Sequence, residues 1–142
     1  MYTYQHKIKL HESDAAGIIF FSNQFKIVHD AYESLLDHLG LGFPVLLKEK
    51  SYFLPIVHAE SDFKKPILVG DLLEIHVTVE HVGETSFTFA YTILNTQQDC
   101  VGTAKTVHVT IDKKTRQKIP LPKEMREKIE AQYRQDRGKK SI

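Results

Sequence analysis

Alternation of apolar and polar side chains between positions 73 and 111 constrains the fold of this chain more than any other feature. Residues 73–80 alternate strictly, and the same period of two returns over 87–93 and again over 106–111. In a β-strand this period places the apolar side chains on one face, so each run is predicted to be a strand with one buried side. Gly83 and Glu84 provide a short connection between the first two runs. The segment is therefore predicted to form an antiparallel meander.

A second period, of three and four residues, predicts a long helix from Asn23 to Leu39. The apolar residues with this spacing are Phe25, Val28, Tyr32, Leu35, Leu36 and Leu39. Ile27 and Ala31 widen the apolar face, which predicts burial on more than one side. Ser22 or Asn23 is expected to cap the start of the helix, and Gly40 is expected to end it in the left-handed conformation.

Weaker local signals assign the remaining segments. They predict a strand over 3–10, a surface loop over 42–51, a strand over 54–63 with Pro55 at its edge, a helix that Pro122 opens, and a polar tail over 134–142 that frays. One long helix covers only one face of such a sheet and leaves its edges open. A dimer that continues the sheet would cover an edge and is expected on this ground.

Composition limits the classes of function. A length of 142 residues predicts one domain, over 1–142, and a formal net charge of +1 gives no reason to expect a nucleic-acid partner. Cys100 is the only cysteine, so no internal disulfide can form. No apolar run approaches the roughly 18 residues of a membrane span, and the first residues lack a signal-peptide pattern. The chain is expected to be cytoplasmic, without insertion into a membrane.

The segment from Ser13 to Asn23 is the best candidate for chemistry. Asp14 is followed by small and apolar residues, among them Gly17, and then by the predicted helix start. A helix N-terminus has unpaired N–H groups and partial positive charge, so a carboxylate placed opposite it can attack a carbonyl that those groups polarise. Gly17 would allow a positive φ or a close approach to a ligand. The alternative is that Asp14 only ends the first strand and turns the chain.

Other catalytic arrangements have less support. His29 and Glu33 have the i, i+4 spacing of some metal sites but lack a third ligand, so no metal is predicted. Three further histidines, His76, His81 and His108, are interpreted as half-buried strand residues. The chain contains neither a G-x-S-x-G elbow nor a glycine-rich phosphate loop.

The stretch from Ser13 to Phe25 resembles the signature of hotdog-fold acyl-CoA thioesterases of the 4-hydroxybenzoyl-CoA thioesterase family, in which D-x-D-x-x-G-[IV]-[IV]-[FY] precedes the central helix. Glu12 replaces the first acid of that pattern. The resemblance covers roughly residues 2–121. It implies an α+β hotdog fold: an antiparallel sheet of about five strands wrapped around a long central helix, plus a short C-terminal helix. It also implies homodimers, which often assemble into homotetramers.

By this resemblance Asp14 is the catalytic carboxylate, acting as nucleophile or general base, and the backbone N–H of Phe21 polarises the thioester carbonyl. Phe20 and Phe21 are expected to wall the substrate pocket, and Asn23 to line it. Lys64 and Lys65 are candidates for the phosphates of coenzyme A, which belongs to the substrate, so no separate cofactor is expected.

Two further segments, 29–34 and 54–63, are similar to 1,4-dihydroxy-2-naphthoyl-CoA thioesterases of quinone biosynthesis. This likeness makes a naphthoyl thioester the leading substrate. It suggests that His58 and Asp62 lie near the pocket, with an ordinary role in the strand as the alternative. Two alternatives stay open. One is a hotdog hydratase or dehydratase that uses a catalytic histidine, for which His58 is the candidate, and the other is a non-catalytic acyl-CoA binding module.

Overall fold

The computed structural model describes residues 1–14, 16–19 and 21–140. These residues form seven strands, three α-helices and one 3-10 turn, at Leu10–Glu12. In chain order the elements are β1 (Tyr2–Lys7), α1 (Phe21–His38), α2 (Phe43–Glu49), β2 (Tyr52–Phe53), β3 (Ile56–Phe63), β4 (Leu72–Val82), β5 (Ser86–Leu94), β6 (Cys100–Val109), β7 (Ile111–Asp112) and α3 (Lys123–Lys140).

Five of the strands form one antiparallel sheet in the order β1-β4-β5-β6-β3. The meander predicted from the alternating residues is its centre, and in β4 and β5 the apolar parity faces the core: Leu73, Ile75, Phe87 and Phe89 are fully buried. In β6 the predicted face is wrong, because Thr106 and His108 of the polar parity are buried and Val107 is only half-buried. The edge strand β3 is largely exposed, with Val57 55% and Phe63 53% accessible. The predicted α+β hotdog architecture is confirmed, because this sheet wraps around one long helix.

Helix α1 lies against the buried face of the sheet. Its Ile27, Ala31 and Leu35 are completely inaccessible to solvent, as expected for a helix buried on more than one side. Gly40 ends it with a φ of +77°, and the Leu41 N–H donates to the Leu36 carbonyl oxygen at 2.8 Å, so this part of the prediction is confirmed.

The start of α1 differs from the prediction. The helix begins at Phe21, so Ser22 and Asn23 lie inside its first turn and neither is the residue that precedes the helix. The Asn23 side chain makes a different contact, described below.

The predicted loop over 42–51 is wrong, because it contains helix α2. Pro44 reads as a turn signal, yet it occupies the first turn of this helix, where a missing N–H costs no hydrogen bond. Leu46 fixes the helix on the core with only 3% of its surface exposed.

The last part of the chain also departs from the prediction. Strand β6 ends at Val109, and the apolar–polar alternation continues into β7, which pairs with β2 in a separate two-stranded sheet. Helix α3 has 18 residues and reaches Lys140, so it is not short, and residues 134–140 are helical instead of frayed. Asp136 explains this length: its buried carboxylate accepts the Val79 N–H at 2.8 Å and so attaches the end of α3 to β4.

Candidate active site

Asp14 lies in a tight turn that fixes its side chain. Its Oδ1 atom accepts the Ala16 N–H at 2.8 Å and the Ile18 N–H at 3.3 Å. Gly17 closes the turn with a φ of +77°, a value that favours glycine, and its N–H donates to the Asp14 carbonyl oxygen at 3.1 Å. Both side-chain bonds use Oδ1, and no described residue donates to Oδ2. The turn and the catalytic interpretation of Asp14 are therefore compatible: one oxygen orients the carboxylate and the other remains available.

Backbone bonds attach this turn to the segment before β4. Ile18 and Ile19 face residues 67–69: the Ile19 N–H donates to the Ile67 carbonyl oxygen at 2.8 Å, and the Val69 N–H donates to the Gly17 carbonyl oxygen at 3.1 Å. The Asp14 N–H in turn donates to the Ile18 carbonyl oxygen at 2.8 Å. The Asp14 carboxylate thus lies on a hydrogen-bonded hairpin shortly before α1 in the chain.

Glu12 connects the turn to the first turn of α1. Its carboxylate is buried and accepts the Lys9 N–H at 2.8 Å and the His6 Nε2 group at 2.9 Å. Burial by itself would raise the pKa of Glu12, but these contacts outweigh it and lower the pKa, so the side chain is ionised. The Glu12 carbonyl oxygen accepts the Asn23 side-chain amide at 2.7 Å. Asn23, predicted to line the substrate site, therefore has a positioning contact in this structure.

Gln24 connects the same helical turn to the edge strand. Its Nε2 atom donates to the Asp62 carbonyl oxygen at 3.1 Å and to Ser61 Oγ at 2.5 Å, while Ser61 Oγ donates to the Thr103 carbonyl oxygen at 2.9 Å. The amide orientation is fixed because a carbonyl can only accept. Gly102 makes room for this contact, since a Cβ there would lie 2.7 Å from Gln24 Nε2.

A cavity of about 340 Å³ opens beside this helix start. Ile18 and Ile19 line it from the Asp14 hairpin, Gln24 from α1, and Lys64 and Lys65 from the segment after β3. The structure thus brings both predicted lysines to the hairpin that carries Asp14. Lys65 pairs with Asp99 at 3.3 Å, and both side chains are about half exposed. Two cations at the mouth of an apolar cavity suit a ligand with an anionic end.

Four of the described residues predicted for the site do not line this cavity: Asp14, Gly17, Asn23 and His58. His58 lies on the exposed face of β3 and is 3.4 Å from Glu60. Phe20 and the side chain of Phe21 lie outside the described residues. The Phe21 N–H, however, is the first in α1, a position without an acceptor inside the helix.

No metal-binding arrangement is found in the described part of the chain, where no three His, Cys, Asp or Glu residues are grouped suitably. His29 and Glu33 form an exposed pair at 3.1 Å. None of the described helices has the length and hydropathy that crossing a bilayer requires.

A buried polar chain was not anticipated from the sequence. Tyr91 Oη lies 2.7 Å from Thr106 Oγ1, which lies 2.7 Å from His108 Nε2. His108 stacks between Tyr32 and Phe87, with ring centroids 4.2 and 5.0 Å away. Its interpretation as a half-buried strand residue is wrong, since it is fully buried. Burial lowers the pKa of His108 to about 3, with a smaller effect of His29, so the imidazole is neutral at physiological pH. Positions 106 and 108 share the polar parity of their run, which the alternation predicted to be exposed, so the local pattern gave the wrong buried face here.

Known proteins share both the sequence and the architecture. The model of the thioesterase-like superfamily matches residues 8–129. A 1,4-dihydroxy-2-naphthoyl-CoA hydrolase from Synechococcus elongatus is 35% identical over 127 residues, which cover 89% of this chain and 93% of the relative.

Two solved structures extend this likeness. A 1,4-dihydroxy-2-naphthoyl-CoA thioesterase from Synechocystis superimposes with a TM-score of 0.85 at 31% identity, covering 90% of this chain and 94% of the other. A gentisyl-coenzyme A thioesterase superimposes with a TM-score of 0.81 at 26% identity, covering 90% and 99%. Residues 8–129, which the superfamily model matches, include the Asp14 hairpin, α1 and the whole meander. The chain therefore belongs to the thioesterase-like superfamily and, as its sequence predicted, is a thioester hydrolase of the hotdog fold.

Proposed function

We propose that the chain hydrolyses an aryl-CoA thioester to the free acid and coenzyme A, with 1,4-dihydroxy-2-naphthoyl-CoA as its substrate in quinone biosynthesis. The observation that carries this proposal is the Asp14 turn, which leaves Oδ2 available on a hairpin that runs into the N-terminus of α1. The names of the relatives support the choice of acyl group, since they act on hydroxylated aryl thioesters.

Two groups of this chain would perform the reaction. The Phe21 N–H donates to the thioester carbonyl oxygen and stabilises the negative charge that develops there. Asp14 either removes a proton from a water molecule that attacks the carbonyl carbon, or attacks that carbon itself and forms an anhydride that water opens. In both routes the C–S bond breaks, the acid is released, and the thiolate of coenzyme A takes up a proton. No cofactor is needed beyond the coenzyme A of the substrate.

The cavity beside the helix start accounts for the rest of the substrate. Its apolar walls suit the arm that carries the sulfur, and Lys64 and Lys65 at its mouth suit the phosphates of coenzyme A. This assignment gives the predicted lysines a role that their position supports.

A panel of thioesters tests the proposal. Purified protein is incubated with 1,4-dihydroxy-2-naphthoyl-CoA, palmitoyl-CoA and crotonyl-CoA, and the release of free thiol is followed together with the acyl products. We expect the largest kcat/KM for the naphthoyl thioester. Conversion of crotonyl-CoA to 3-hydroxybutyryl-CoA without thiol release would instead indicate a hydratase, and tight binding with no turnover would indicate a binding module.

We also propose that the active form is a homodimer that pairs into a homotetramer in the cytoplasm. Strand β3 is the support for this: it is an eight-residue sheet edge with exposed apolar side chains, including Val57, and such edges pair readily. Light scattering of the purified chain is expected to give two or four times the mass of one chain, 16.3 kDa. A monomer at the concentration of full activity would contradict the proposal.

A further inference from the structure

A second cavity, of about 190 Å³, lies between α1 and the sheet. Helix α1 contributes Phe25 and Val28, and the sheet contributes Ala59, Tyr91 and Thr106. Most of these groups are apolar. An engineered apolar cavity of roughly 150 Å³ accommodates benzene, so this volume suits a small aromatic group.

The position of this cavity along α1 relates it to the reaction centre. With a helical rise of about 1.5 Å per residue, Phe25 lies about 6 Å and Val28 about 10 Å along the axis from Phe21. An aromatic ring system attached to a carbonyl at the Phe21 N–H would extend over this range. The second cavity is therefore in the right place for the acyl part of the substrate, while the first cavity takes the coenzyme A part.

Two members of the polar chain Tyr91–Thr106–His108, Tyr91 and Thr106, line this cavity. The Thr106 hydroxyl has one proton and lies within hydrogen-bond distance of both Tyr91 Oη and His108 Nε2. If Thr106 donates to His108, Tyr91 donates to Thr106 and its oxygen is left to accept. If His108 donates to Thr106, Thr106 donates to Tyr91 and the phenol proton is left to donate.

Both arrangements require a neutral imidazole and a protonated phenol. Burial lowers the pKa of His108 and raises the pKa of Tyr91, so both conditions are met near neutral pH. The two tautomers of His108 thus let the Tyr91 hydroxyl act as donor or acceptor without any movement of the chain.

On the basis of the proposed function, we propose that Tyr91, which lines the second cavity, is the residue that selects hydroxylated aryl groups: its hydroxyl, oriented by Thr106, forms a hydrogen bond with a ring hydroxyl of the bound substrate. Thr106 is its positioning residue. A ring hydroxyl is both donor and acceptor, which matches a partner that can take either role.

The other polar groups beside this cavity are less suited to the role. His29 is half exposed and is already paired with Glu33 at 3.1 Å. The Tyr32 hydroxyl is buried and has no hydrogen-bond partner among the described residues, so nothing orients it toward a ligand. Tyr91 alone combines contact with the cavity and a fixed hydroxyl among the tyrosines that line it.

The test compares two thioesters that differ only in their hydroxyls, 1,4-dihydroxy-2-naphthoyl-CoA and 2-naphthoyl-CoA. We expect Tyr91→Phe to lower kcat/KM for the dihydroxylated thioester about 10- to 100-fold and to leave that for 2-naphthoyl-CoA unchanged, because only the first loses a hydrogen bond. Thr106→Val keeps the shape of the side chain and is expected to shift the ratio in the same direction. Tyr52→Phe is the control: Tyr52 is a buried tyrosine outside this cavity, and its ratio should equal that of the wild type.

Each outcome either supports or contradicts the role proposed for Tyr91. A fall in kcat/KM for the dihydroxylated thioester relative to 2-naphthoyl-CoA in Tyr91→Phe supports the inference, a rise contradicts it, and thermal unfolding of each variant verifies that it is folded. An equal loss for both thioesters, or no change for either, would show that Tyr91 is only structural. If the wild-type protein hydrolyses neither thioester, the proposed function fails as well, so the two failures are distinguishable.

Discussion

Replacing Asp14 with asparagine is expected to lower kcat for the naphthoyl thioester by about 10²- to 10⁴-fold, the usual contribution of a positioned general base. This substitution is expected to remove the charge without disturbing the turn. Both hydrogen bonds of the side chain are accepted by Oδ1, and an asparagine Oδ1 can accept the same N–H groups of Ala16 and Ile18. The turn should therefore remain while the negative charge at Oδ2 is lost. Steady-state rates of thiol release provide the measurement, and substrate binding should persist.

Asp112→Asn is the matched control for Asp14→Asn. Asp112 also fixes a turn, accepting the N–H groups of Lys114 and Thr115 at 3.0 and 2.8 Å, but it is the last residue of β7 and lines neither cavity. Wild-type rates are expected for this variant. Wild-type rates in Asp14→Asn would remove the catalytic role of Asp14 and leave it as a turn residue only.

The Phe21 N–H can be deleted without changing any other backbone group. Phe21→Pro removes this N–H at the first position of α1, where proline fits a helix, and it is expected to lower kcat by about 10²- to 10³-fold, as for the loss of one oxyanion donor. Phe21→Ala removes the aromatic side chain and keeps the N–H, so it separates the two contributions.

The ratio of kcat for Phe21→Pro to kcat for Phe21→Ala measures the contribution of the Phe21 N–H. A kcat for Phe21→Pro far below that of Phe21→Ala, with similar far-ultraviolet circular dichroism, would identify the backbone group as the polarising donor. Equal kcat values for the two variants would contradict the proposed oxyanion role.

Local periodicity was enough to predict the elements that form the core. The period-two runs became β4, β5 and β6, and the three-four spacing became α1. In β4, β5 and α1 the apolar face is the buried one, whereas β6 buries Thr106 and His108 from its polar parity. Helix α2 was not predicted because its local sequence fits both a loop and a short helix. A proline breaks a helix when it lies in the interior but is well accommodated in the first turn. The burial of Leu46 decides that Pro44 lies at the start of a helix, and this burial is a tertiary contact.

Prediction of the site had a different limit. Asp14 and Gly17 could be identified because their spacing encodes a local turn, and the resemblance supplied the Phe21 N–H. The Tyr91–Thr106–His108 chain depends on how β5 and β6 pair, with Tyr91 opposite Ala104, and no local pattern contains that register. The same holds for Gln24, whose partners on β3 lie almost forty residues away.

The hydrogen bonds of Gln24 also join two segments, strand β3 and the first turn of α1, that would otherwise open independently. A strand at the edge of a sheet is usually among the first parts of a protein to detach, and the first turn of a helix frays in the same way. Here the Gln24 amide bonds to Ser61 and to the Asp62 carbonyl oxygen, so β3 cannot separate without breaking contacts to the turn that begins at Phe21. The two segments therefore form one cooperative opening unit, and the backbone group proposed for catalysis keeps its place for as long as the sheet edge remains closed.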